Sequence, residues 1–249
     1  MNNEPFKFVK IIASENSTRK KPRLFCFHPG GSSAQIFYGW IEALQTLVDI
    51  YAIELPGRDE SIDIAPYTDI KQFIKPLVME LENYNDRPMI FFGYCMGGLI
   101  AFEVTRMMGN IILHLFLAAS AEPIYAADNK LNRFMSDEEL KIFLSKQFSL
   151  KLTNEINEEY INLLLPTLKA DRSITFNYQY KHSDPLTVPL TIYGGLQDDA
   201  ITLAALHAWQ CHTSANFRLH MFPGDHMFIN AHTSLLLKKL TEDISSIGF

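Results

Sequence analysis

Met89-Ile90-Phe91-Phe92-Gly93-Tyr94-Cys95-Met96-Gly97-Gly98 is the stretch on which the fold turns. Its first four residues form a short apolar run of the kind that makes a buried strand. The residues after it predict a helix that is apolar almost all round and ends at Gly109-Asn110, as a buried helix with a glycine cap does. A strand that passes into a helix this abruptly leaves no room for side chains beside the turn, so glycines stand at positions 93 and 97. The residue at the centre, Cys95, is then held at a helix N-terminus, where unpaired N–H groups and the helix dipole favour a thiolate and an oxyanion. A buried structural cysteine on a glycine turn is the bland alternative. The strand–turn–helix setting favours a nucleophile.

Outward from this turn, short β-type runs alternate with helical ones, the pattern of a mainly parallel sheet covered by helices. Strands are expected near residues 23–28, 49–53, 89–94, 111–119, 186–193 and 216–222. Ile70, Phe73, Ile74, Leu77 and Leu81 fall on one helical face, with Thr68 or Asp69 as the N-cap and Pro76 as a kink or break. From about residue 127 to 180 the alternation stops. Two helical patterns, 137–148 and 155–178, the second broken at Pro166, read as a lid inserted over the carboxyl edge of the sheet, where ligand sites form. Phe134, Phe143, Phe148 and Tyr160 in this stretch either pack or line an acyl channel, and their helical spacing favours packing.

Three further signals follow the expected strands. Phe27-His28-Pro29-Gly30-Gly31-Ser32-Ser33 comes after the first core strand, where a backbone N–H can stabilise an oxyanion together with the residue after the nucleophile; Gly30 and Met96 are the candidates. Gly194-Gly195-Leu196-Gln197-Asp198-Asp199 offers an acid that can orient a histidine. Asp198 is preferred because a helix start lies behind it, and Asp199 is the competing choice. Phe222-Pro223-Gly224-Asp225-His226-Met227-Phe228 places His226 in a glycine-containing loop after the last strand. Cys95, Asp198 and His226 thus stand in the order nucleophile, acid, histidine. That order belongs to the α/β-hydrolase fold, a mainly parallel central sheet flanked by helices, here with a helical lid and one domain over residues 1–249.

Over nearly its whole length the chain resembles the type II thioesterases of nonribosomal peptide and polyketide biosynthesis. The resemblance is carried by Leu24-Phe25-Cys26-Phe27, Leu55-Pro56-Gly57-Arg58, Arg87-Pro88, Ala101-Phe102-Glu103, Leu165-Pro166-Thr167-Leu168-Lys169-Ala170-Asp171 and Trp209 with His212-Thr213. Integrated relatives often place the acid after the strand that follows the nucleophile helix. Here that place reads Ala119-Ser120-Ala121, with only Glu122 nearby, which favours the discrete form. The resemblance implies an acyl, aminoacyl or peptidyl substrate on the phosphopantetheine of a carrier protein. It also implies no metal, no redox cofactor and a monomer. Three positions depart from the family pattern: Cys95 replaces the usual Ser, Tyr94 a common His, and Asp225 a Gly. Thiol attack on a thioester exchanges one thioester for another, so the acyl-cysteine keeps its reactivity. Transfer or cyclisation by the same cysteine is therefore a rival to hydrolysis.

Composition narrows the field. Of 249 residues, 47% are hydrophobic and 20% charged, enough apolar surface for a sizeable core. A formal net charge of −6 argues against nucleic-acid binding, which needs clustered cations, and Arg19-Lys20-Lys21 is a short solvated run. Residues 1–10 lack the apolar core of a secretory signal, and the longest apolar run, 111–119, is interrupted by His114 and too short to span a bilayer. The three cysteines, Cys26, Cys95 and Cys211, cannot all pair in one chain and lack metal-ligand spacing, which suits a cytoplasmic setting. Burial explains Cys26 and Cys211 more simply than reactivity.

Overall fold

The computed structural model describes residues 6–14, 21–128, 135–147 and 155–248. Residues 1–5, Arg19, Lys20, Phe134 and Phe148 lie outside the described residues. Seven strands form one sheet: Val9–Ala13 (β1), Arg23–Phe27 (β2), Asp49–Ile53 (β3), Met89–Tyr94 (β4), Ile112–Ala118 (β5), Leu190–Gly195 (β6) and Phe217–Phe222 (β7). Their spatial order is β1-β3-β2-β4-β5-β6-β7, and only β1 runs antiparallel, against β3. The sheet is therefore the mainly parallel one that the alternating pattern predicts.

β1 is the strand that the sequence reading misses. It is short, half-buried and at the sheet edge, so it carries neither a continuous apolar run nor a clean alternation. Two boundaries differ for a reason that proline supplies. β2 stops at Phe27, and His28, the residue before Pro29, is already outside the sheet. β6 begins only after Pro189, which has no N–H to give a ladder; its carbonyl accepts from Leu115 N instead, and Leu186 makes a single bridge to Thr213.

The helices are Ile41–Leu44 (α1), Ile74–Leu81 (α2), Met96–Met108 (α3), Pro123–Asp128 (α4), Asp137–Gln147 (α5), Glu155–Asn177 (α6), Leu203–His207 (α7), Phe228–Ala231 (α8) and Thr233–Ser245 (α9). Period-two alternation along β2 sends Phe25 and Phe27 to the core under α2 and α3. Leu24 and Cys26 go to the opposite core under α1 and α9. Asp69 is the cap, with Gln72 closing a capping box, but over a single 3₁₀ turn, Ile70–Gln72. The break expected at Pro76 falls earlier, at Phe73 with φ −130°. Pro76 then sits in the first turn of α2, where its missing N–H costs no helical bond.

Between β5 and β6 stand α4, α5 and α6. The expectation of a break at Pro166 is wrong: α6 continues through it. Ile161, Leu165 and Leu168 on one side of α6 pack with Leu140 and Leu144 of α5 in a small core of their own, which holds the helix across the lost hydrogen bond. Among the described residues no helix is long and apolar enough to cross a membrane.

The register aligns the strand ends that matter. Phe27 faces Gly93, Tyr94 faces Ala118, Ala118 faces Tyr193, and Gly195 faces Phe222. The loops that begin at residues 28, 95, 119, 196 and 223 therefore leave the sheet along one carboxyl edge.

Candidate active site

Cys95 sits at that edge with φ +53° and ψ −117°, a conformation that non-glycine residues rarely adopt. Its N–H donates to the Ala118 carbonyl (2.8 Å) and its carbonyl accepts from Gly98 N–H (3.0 Å), so the strained turn is braced on both sides. The crowding inferred from sequence is present: a Cβ at Gly93 would lie 2.5 Å from the Gly97 carbonyl oxygen. All three cysteines are free; Cys26 is buried as expected and Cys95 is in between, but Cys211 is exposed, so the expectation that burial explains it is wrong. Burial pushes the Cys26 thiol up, away from ionisation, which fits a packing role.

The loop after β7 brings His226 to Cys95, and the loop after β6 supplies the acid. His226 Nδ1 lies 2.9 Å from Asp198 Oδ2. The Asp198 side chain is 1% exposed, and its Oδ1 accepts from Ala200 N (2.8 Å) and Ile201 N (3.0 Å). The helix start that motivated the choice of Asp198 thus consists of two amides that lock the carboxylate. Asp199 is exposed. Cys95 and His226 line the same cavity. Burial disfavours the charge on the His226 ring, but the interaction with Cys95 and the hydrogen bond and charge of Asp198 outweigh it. The His226 pKa is pushed up to about 10.

In Cys95→Ala the strongest cause raising the imidazole pKa is gone while Asp198 remains. The His226 midpoint, read by NMR of the ring protons, is expected to fall by about 1–3 pH units. An unchanged midpoint would mean that the two side chains do not share a charge.

Gly30 and Met96 both border the cavity that contains Cys95 and His226, of ≈ 90 Å³. Pro29 has no N–H, so Gly30 is the first residue of its loop after His28 able to donate one. The rest of the wall is mainly apolar, including Leu99, Leu168 and Ile201. Phe143, read from sequence as packing, also reaches this wall, whereas Tyr160 borders a separate cleft beside Ser33 and Asn230.

Three features escaped the sequence reading. Tyr94, at the position where His is common, is fully buried; its hydroxyl donates to the His226 carbonyl (2.7 Å) and accepts from Ile229 N (3.3 Å), tying β4 to the histidine loop. Glu122 is joined to His212 (Nε2 to Oε1, 2.6 Å) rather than to His226. Burial opposes its ionisation, but the His212 bond and the amides of Tyr125 and Ile124 prevail and lower its pKa. Arg58 and Asp171, from two segments that carried the family resemblance, form a buried bidentate pair. Tyr94, Arg58, Asp171 and His212 all stood among the residues quoted for the family; what no residue signalled was the pairing of Glu122 with His212.

A tight strand–Cys95–helix turn, with histidine and acid arriving from later loops at the carboxyl edge of a parallel sheet, defines an α/β hydrolase. The thioesterase domain family matches residues 22–245, and the chain belongs to that family and is a thioester hydrolase. It is 35% identical over 246 residues to linear gramicidin dehydrogenase LgrE of Brevibacillus parabrevis, covering 95% of this chain and 92% of that protein. It is 34% identical over 226 residues to gramicidin S biosynthesis protein GrsT of Aneurinibacillus migulanus, covering 88% and 87%. Among solved structures it is similar to the RedJ thioesterase from the prodiginine pathway of Streptomyces coelicolor, with a TM-score of 0.81, 28% identity and 89% of each chain covered.

Proposed function

We propose that this chain is a discrete type II thioesterase of a nonribosomal peptide or polyketide assembly line. It removes acyl, aminoacyl or peptidyl groups from the phosphopantetheine of a carrier protein through an acyl-cysteine on Cys95. The observation that carries this reading is the Cys95–His226–Asp198 alignment at the wall of an apolar cavity. The gramicidin and prodiginine settings named for GrsT and RedJ support the assembly-line context.

In this reading Cys95 Sγ adds to the thioester carbonyl, and the N–H groups of Gly30 and Met96 receive the developing oxyanion. Collapse breaks the bond to the pantetheine sulfur, which leaves with a proton from His226. A histidine whose pKa stands at about 10 carries that proton at neutral pH. Acylation of Cys95 removes the interaction that is the main cause raising His226. The same ring then becomes a base for the incoming water, while Asp198 keeps it oriented. Water adds to the acyl carbon, its proton passes to His226, and collapse returns Cys95 and releases the acid. The helical insertion acts as a lid over this path, with Phe143 lining the acyl end of the cavity.

Intact-protein mass spectrometry with an acyl-pantetheine thioester tests the scheme. Wild type is expected to show an acyl adduct on Cys95 that decays in water. An adduct that waits for an added carrier thiol or amine would make the enzyme a transferase on the same residues. Turnover with no adduct and full activity in Cys95→Ala would overturn the scheme.

A further inference from the structure

The loop that carries Gly30 has two consecutive glycines; its Pro29 carbonyl accepts from Ser32 N (3.2 Å), and two helices of the insertion grip it. Asp171 on α6 accepts from Gly31 N (2.8 Å) and from Arg58 Nη1 (2.9 Å) through Oδ2, and from Arg58 Nη2 (2.7 Å) through Oδ1. Arg58 Nη1 also donates to the Ser32 carbonyl (2.7 Å). Thr167, one turn earlier on α6, donates to the Gly57 carbonyl. Gly31 itself has φ +72°, and a Cβ there would stand 2.9 Å from Leu168 Cδ1 of α6 and 3.1 Å from Leu144 Cδ2 of α5. The Arg58 and Asp171 side chains are 3% and 1% exposed.

We propose that Arg58 and Asp171 are positioning residues, a clamp through which α6 fixes the Gly31 N–H and the Ser32 carbonyl and so anchors the loop just after the Pro29–Gly30 peptide that carries the oxyanion donor N–H. This rests on the reading of Gly30 as that donor. A buried ion pair is a weak source of stability, since hydrophobic residues of similar volume often serve as well. What such residues cannot do is hold the Gly31 N–H and the Ser32 carbonyl in a fixed direction. The pair spans 113 residues of chain and links three segments: the loop after β2, the Pro56-Gly57-Arg58 turn and α6. Asp171 also borders the same cavity as Cys95 and Gly30, so a displacement of α6 is transmitted to the reacting carbonyl within one side chain.

The readout is the preference for a thioester over the matching dithioester, in which sulfur replaces the carbonyl oxygen. Each kcat/KM is divided by the substrate's own hydroxide rate. An oxyanion hole that fits oxygen gives wild type a preference of about 100-fold. Asp171→Asn is expected to cut it to roughly 10-fold or less. Arg58→Met/Asp171→Leu, which removes both charges and keeps the packing, does the same and covers the case in which Asp171→Asn fails to fold. In parallel, the reaction of Cys95 with 2,2′-dipyridyl disulfide, a reagent with no carbonyl oxygen, followed at that residue by peptide mass spectrometry, stays within about twofold of wild type. A wild-type preference near one defeats the Gly30 reading, and the clamp with it. A high wild-type preference that both variants retain overturns the clamp alone. A fall in the disulfide reaction together with the preference makes the pair merely structural and also overturns it.

Discussion

His226→Ala lowers kcat/KM for thioester hydrolysis by about 10⁴-fold or more, and adding Cys95→Ala to it costs almost nothing further. Nucleophile, base and orienting acid act as one unit, so removing one member forfeits most of what the others contribute. The geometry makes this strong here because Asp198 Oδ2 holds the His226 ring at 2.9 Å and the ring shares one cavity with Cys95. Without the ring, the pantetheine sulfur has no proton donor on leaving and water has no base. Asp198→Asn keeps the shape but replaces an acceptor by a group that can favour the wrong tautomer, and a loss of about 10⁴-fold is expected. Asp199→Asn, on an exposed side chain, stays within about twofold of wild type. The measurement is steady-state release of pantetheine thiol by these four variants and by Cys95→Ala alone. Equal losses from Asp198→Asn and Asp199→Asn, or additive losses from Cys95→Ala and His226→Ala, would contradict the unit.

The parts of this site that could be read from the chain are those whose chemistry is confined to a few adjacent residues. Gly93, Cys95 and Gly97 share one turn, and the strand before it and helix after it are visible as apolar patterns. His226 could be chosen among eight histidines because it alone lies in the glycine-containing loop directly after the last strand. The choice between Asp198 and Asp199 was half legible. The helix start behind Asp198 was visible, but the amides of Ala200 and Ile201 that lock its carboxylate exist only in three dimensions. What stayed hidden depends on long chain separations. Arg58 and Asp171 could each be noticed in a family segment, but nothing in either segment names the other. Glu122 finds His212 rather than His226 because α4 begins on its carboxylate, which accepts from Ile124 and Tyr125 N–H and fixes its direction. Pro166 misled for a related reason. Intrinsic propensity breaks a helix there, and the packing of Leu165 and Leu168 against α5 overrides it.

Gly97→Ala is expected to be the most damaging single methyl in the protein. The added carbon would lie 2.2 Å from the Phe27 carbonyl oxygen, 2.5 Å from its carbon and 2.6 Å from the His28 oxygen. All three are backbone atoms at the end of β2, so no side-chain rotation relieves the overlap. Either α3 moves off the sheet or the end of β2 moves, and with it the loop that carries Gly30. Overpacking in a core costs typically 1–3 kcal/mol when side chains can yield; against backbone a loss of about 3 kcal/mol or more is expected. Gly39→Ala provides the comparison, because Gly39 is exposed and a methyl there meets nothing within 4 Å; its effect stays within about 0.5 kcal/mol. Urea unfolding followed by far-UV circular dichroism separates the two. A wild-type midpoint for Gly97→Ala would show that β2 and α3 do not approach as closely as described. A lowered midpoint with reactive Cys95 but little turnover would place the damage at the oxyanion loop, since the carbonyls that meet the methyl belong to the two residues that lead into Pro29 and Gly30.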